Sequence, residues 1–190
     1  MQQVLALEPL QVGLMLLPGG LLMGLLAPAV GRLYDKFGPR VLLVPGTTVV
    51  SAVLWFFSTV SEDTAPPTLL AAHIVLSVGL ALLFTPLFSA GLGSVRRQLY
   101  SHGSAVIGTV QQVAGAAGTA MFVTVMSMQA AVLSAEGAAT TTAVAGGVRM
   151  AFLTGALISI VAVAAAFFIR KPVEESAGEP ASVEGAPVAG

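Results

Sequence analysis

Apolar positions in this chain neither alternate nor recur one turn apart; they run on unbroken. Leu10–Val30, Val41–Val60, Thr68–Ser94, Ser104–Leu133 and Met150–Ile169 contain no Asp, Glu, Lys or Arg. A helix crossing about 30 Å of hydrocarbon needs about 20 such residues, so each stretch predicts one transmembrane helix. The connections between them, GRLYDKFGPR, SEDTAPP, VRRQLYSHG and SAEGAATTTAVAGGVR, are short and polar. Membrane β-barrel strands alternate apolar and polar residues over about ten positions, which these runs do not. The predicted fold is an all-α membrane protein: residues 1–9 as an extracellular N-terminal segment, a five-helix region over 10–169, and a tail over 170–190.

Charge sets the expected orientation. Counted by segment from the N-terminus, Lys and Arg number 0, 3, 0, 2, 1 and 2. Cytoplasmic loops keep basic residues, so the N-terminus is expected outside and the C-terminus in the cytoplasm. Arg32, Lys36, Arg40, Arg96, Arg97, Arg170 and Lys171 obey this arrangement and Arg149 alone breaks it. Read as the end of the fifth span, Arg149 is expected to snorkel to the outer headgroups. The tail, with four Glu and little to bury, is expected to be disordered and cytoplasmic. The start, MQQVLALEPLQVG, lacks the basic n-region of a cleavable signal.

Composition narrows the function classes. The 190 residues are 56% hydrophobic and 9% charged, against about 25% charged in soluble domains. A net charge of -1 offers no broad positive field for nucleic acid. There is no Cys, and the two His have no carboxylate nearby in sequence, so neither a metal site nor a cofactor site is expected. Neither a nucleophile elbow nor a completed GxGxxG is present, and no Ser lies with a base at membrane depth, so an enzyme is not expected.

The connection GRLYDKFGPR combines Gly31, Arg32, Asp35, Lys36, Gly38 and Arg40 in a tight turn between two spans. Gly38 is suited to positive φ and Gly31 to a close reversal; Asp35 can accept hydrogen bonds from basic neighbours or a helix N-terminus. The pattern resembles the loop signature of the major facilitator superfamily. LPGGLLMGLLAPAVGRLYDKFGPR and FTPLFSAGLGSVRRQLYSHGSAVIGTVQQVAGAAGTA look like the closing helices of the fourteen-helix drug:proton antiporters of bacteria. The resemblance covers residues 2 to about 170 and implies a bundle incomplete by itself, in a bacterial inner membrane. It also implies that the six loop residues latch helices of opposite halves in one access state. Pro39 stands where the family more often has a basic residue, which leaves the cationic side of the latch to Arg32, Lys36 and Arg40. The alternative is a charged hairpin that only anchors topology.

Within the spans, Gly20 and Gly24 form a GxxxG pair beside Pro18 and Pro28, as in closely packed, kinked helices. Ser104, Gly108, Gln111, Gly115, Gly118 and Phe122 share one face of the fourth helix. An amide at membrane depth is costly without a partner or water, so Gln111 and Gln112 are read either as cavity residues or as interhelical hydrogen bonders. The expected cavity set is Gln111, Gln112, Gly115 and Phe122, and the expected packing set is Gly20, Gly24, Gly108 and Gly118. His73 lies toward the outer end of the third span and could relay protons or face headgroups; His102 is a loop residue, and Trp55 fits the interfacial aromatic belt. No span holds a carboxylate, yet proton coupling needs a titratable group in the pathway. By resemblance, that group lies in N-terminal helices outside this sequence. The expected function is the C-terminal part of a proton-coupled exporter of drugs or other amphiphilic small molecules, with membrane lipid, substrate and protons as partners. The alternative is a truncated or orphan integral membrane protein with no transport activity of its own.

Overall fold

Proline and glycine mark where the chain turns. The computed structural model describes residues 9–61 and 64–169. Five α-helices carry the described chain: α1 Pro9–Phe37, α2 Arg40–Phe57, α3 Pro66–Gly93, α4 Tyr100–Ala135 and α5 Thr140–Ala166, with a 3-10 turn at Arg97–Leu99 leading into α4. All five are long and apolar enough to cross a membrane. At 1.5 Å per residue, even the 18 residues of α2 reach roughly 27 Å. Backbone amides in lipid have no water to bond, so helices are the economical form for these sequences. Proline is accommodated inside them, at Pro18 and Pro28 in α1, Pro45 in α2 and Pro86 in α3.

The first reversal takes two residues. The Gly38 amide donates to the Tyr34 carbonyl at 2.8 Å, its φ is +78°, and the buried Pro39 caps α2. The Gly31–Phe37 part of the loop motif is helical, so α1 runs through it. At the other end of the bundle, α4 closes on Gly137 at φ +88°. There Ala138 donates to the Leu133 carbonyl and Gly137 to that of Ser134, a Schellman closure. Helix α5 begins at Thr140, so much of the connection SAEGAATTTAVAGGVR is helical and Arg149 lies nearly three turns inside α5.

The helices form an open row. Helix α1 packs on α3, α3 on α2, α2 on α5, and α5 on α4, while α3 and α4 meet only slightly. Crossings are closest where a helix presents no side chain. Gly46 of α2 and Gly79 of α3 face each other, and a Cβ on either would lie 3.2 or 3.3 Å from the other's carbonyl oxygen. A Cβ on Gly147 of α5 would overlap the Met126 carbonyl oxygen of α4. The apolar core joins Val53, Phe57 and Leu69, with Leu76 and Phe152 packed against it. The Ser159 hydroxyl ties α5 to α2 through Ser51 at 2.7 Å. Among the described residues no buried side-chain polar atom lacks a hydrogen-bond partner.

Because the helices run up and down, the 38–39 turn, Arg96, Arg97 and the end of α5 share one end of the bundle. The Arg40 guanidinium lies 5.8 Å from the Phe167 ring centre, which brings α2 and α5 together there. Glu136 lies in the connection at the opposite end, where Arg149 of α5 meets the residue after α2, Ser58. The tail and residues 1–8 lie outside the described residues.

Candidate functional site

Two features stand out, one at each end of the bundle. At the 38–39 end, Arg32, Asp35, Lys36 and Arg40 are exposed, and among the described residues Asp35 makes no ion pair or hydrogen bond. Lys36 instead lies 5.1 Å from the Phe37 ring centre. The motif's charges are thus presented outward, on a turn made by Gly38 and Pro39. Gly31 has nothing within 4 Å of where a Cβ would project, so Gly38 alone of the two glycines makes the reversal.

At the other end, α2, α3, α4 and α5 line a partly open cavity of about 380 Å³. Its aromatic wall comes from three helices. The Phe57 and Phe152 rings are 4.9 Å apart and tilted, and Phe122 meets Phe152 edge-on at 5.1 Å. Leu69 and Leu76 of α3 extend the apolar lining, and Ser61, His73 and Arg149 supply its polar groups. His73 is held at the crossing of α1 and α3. A Cβ on Gly19 would lie 2.6 Å from the His73 Nε2 and would overlap the Ser77 hydroxyl. That hydroxyl in turn donates to the His73 carbonyl at 2.9 Å.

Arg149 has a defined partner at this end. Its Nε donates to the Ser58 carbonyl at 3.2 Å, just past the last turn of α2. A helix C-terminus carries partial negative charge and unsatisfied carbonyls, so a cation is favoured there. This contact gives the one basic residue that breaks the charge alternation a structural reason to stand at this end.

The predicted site residues are divided by the fold. Phe122 lines the cavity, whereas Gln111, Gln112 and Gly115 lie on the exposed middle of α4. Every residue from Thr109 to Met121 is exposed, roughly 20 Å of helix standing clear of the row. Gly20, Gly24, Gly108 and Gly118 likewise have nothing within 4 Å of a would-be Cβ, while Gly19, Gly46, Gly79 and Gly147 sit at the crossings. Sequence reasoning missed His73, Arg149 and Phe152 as one group. Their common end of the bundle was readable from the up-and-down order of the spans, but their adjacency depends on which helices neighbour each other.

Comparisons with known proteins agree with this architecture. The sequence profile of the Major Facilitator Superfamily matches residues 1–119. The chain is 36% identical over 177 residues to the "Lincomycin resistance protein LmrB" of Bacillus subtilis, covering 90% of this chain and 37% of that protein. The Listeria monocytogenes protein of the same name is 38% identical over 176 residues, with 90% and 37% covered. A "Multidrug resistance protein B homolog" of Mycobacterium tuberculosis is 28% identical over 131 residues, 68% of this chain and 24% of that protein. No solved structure matches. The chain therefore spans about 37% of the length of the first two relatives. Five membrane-length helices, the glycine-hinged charged turn and a profile match over most of the sequence lead to one conclusion: this multi-pass membrane chain belongs to the major facilitator superfamily.

Proposed function

We propose that the chain is the C-terminal part of a proton-coupled exporter of drugs or other amphiphilic small molecules, working with helices that lie N-terminal to it in the longer protein. The observation that carries this reading is the bare middle of α4. A helix with no buried residue, carrying two amides and the small residues Gly108, Gly115 and Gly118, is poorly matched to lipid and well matched to neighbouring helices. The relatives are long enough to provide them. Their printed names, lincomycin and multidrug resistance, supply the substrate class.

In this reading α4 faces the other part of the transporter, with Gln111 and Gln112 bonded to it or to substrate. The charged turn around Asp35 lies on the cytoplasmic side and latches to that part in one access state. The five spans hold no carboxylate, so the proton site belongs to the other helices. An exchange of inward-open and outward-open states would then rock this row of helices against its counterpart.

Single Cys substitutions test the arrangement directly, since the chain has none of its own. Cys at Gly108, Gly115 or Gly118, with the chain co-expressed beside the rest of a relative such as LmrB, should crosslink to it. Equal lipid accessibility at all three positions with and without that partner would remove the basis of the proposal.

A further inference from the structure

We infer that the cavity between α2, α3, α4 and α5 binds an amphiphile whose head group is acidic. About 380 Å³ is within the size range of small-molecule sites, which are apolar clefts with a few placed polar groups. The ring cluster of Phe57, Phe122 and Phe152 offers faces and edges to an apolar body. Among the described residues, the ionisable groups in the lining are Arg149 and His73.

The electrostatics follow from those two side chains. A guanidinium is always charged and carries five N–H donors in a planar fork. Arg149 commits its Nε to the Ser58 carbonyl, which fixes the fork beside the cavity and leaves its other donors suited to a carboxylate or similar anion. His73 also borders the cavity, with its Nε2 against Gly19 of α1. This deepens the exporter reading by naming head-group chemistry at a particular place; it rests on that reading for the ligand being cargo, but not for binding itself.

Photolabelling separates the two. Three diazirine probes with the same octyl body and a carboxylate, methyl ester or trimethylammonium head are offered to the full chain in lipid nanodiscs, alone and with the rest of a relative co-expressed. Labelled peptides are then mapped. The carboxylate probe should label segments containing Phe57, His73, Phe122 or Phe152, and at least about tenfold more than the trimethylammonium probe. Arg149→Gln should abolish that preference and Arg149→Lys should keep most of it. Phe122→Trp, which fills the cavity without touching the charge, should reduce labelling by all three probes and guards against misfolding of the Arg149 variant. Equal labelling by all heads, preference for the ammonium, or labelling undiminished in Phe122→Trp would overturn the inference. So would loss of labelling when the partner is present, because another helix would then occupy the space. None of these outcomes depends on export, so the transport reading stands or falls separately.

Discussion

Replacing Gly147 by Ala should weaken the contact between α4 and α5, although the same change usually favours a helix. Glycine costs about 1 kcal/mol relative to alanine in a helix interior, so substitution at an open position should be neutral or stabilising. At Gly147 the added methyl would overlap the Met126 carbonyl oxygen and lie 3.3 Å from the Ala130 Cβ. A backbone carbonyl cannot rotate aside as a side chain can, so the two helices must separate along this crossing. Overpacking of this kind costs about 1–3 kcal/mol, which exceeds the propensity gain or at least cancels it. Separation would also loosen the Phe122 and Phe152 edge contact next along the same interface. Gly118→Ala is the matched control, because nothing lies within 4 Å of its would-be Cβ. The assay is denaturant-induced unfolding of the full chain in detergent, followed by far-ultraviolet circular dichroism and by Trp55 fluorescence. The expected result is that Gly147→Ala is less stable than Gly118→Ala by about 1–3 kcal/mol, because both gain the helix propensity of alanine and only Gly147 is overpacked. Equal stability of the two variants would refute the close approach of α4 and α5.

Other substitutions test the turn, the cap and the open face. Gly38→Ala places a Cβ at φ +78° and should cost about 1–2 kcal/mol in the same unfolding assay, whereas Gly31→Ala should cost nothing measurable. Arg149→Met removes the donor to the Ser58 carbonyl and should cost about 1 kcal/mol, a charged hydrogen bond discounted for exposure, seen as a lower unfolding midpoint. Gln111→Leu with Gln112→Leu should leave the stability of the chain alone unchanged but lower its recovery with a co-expressed partner, as read by co-purification.

Much of the fold was legible because lipid imposes a simple rule on sequence. Uninterrupted apolar runs located five helices, and the short connections made neighbours in sequence antiparallel. The boundaries were less legible. Thr140–Arg149 is rich in Ala, Thr and Gly and ends on a charge, so it reads as a connection; the structure makes it helix because its small residues let α5 reach past Met126 and Leu133 of α4. The loop motif also continues helically to Phe37, since only Gly38 has a backbone that requires glycine. Crossing points were least legible. The Gly20 and Gly24 pair has the familiar spacing, yet Gly19 meets His73 and Ser77, one position around the helix. Likewise Gly46 and Gly79 form a contact that needs α2 and α3 already paired, which no local spacing records. Of the site, Phe122 could be placed on a helix face but not against Phe152, and Arg149 was visible only as an exception to charge alternation.

The central claim is that this chain is one part of a transporter and works only with the rest. The most direct measurement is efflux of a fluorescent amphiphile, tested as an acidic and a cationic dye, from cells expressing residues 1–190 alone, the remaining part of a relative alone, or both, with and without a proton uncoupler. Export that requires both parts and stops with the uncoupler is the predicted result. Uncoupler-sensitive export by residues 1–190 alone would contradict it, because a chain without an intramembrane carboxylate in its five spans would then be coupling protons by itself.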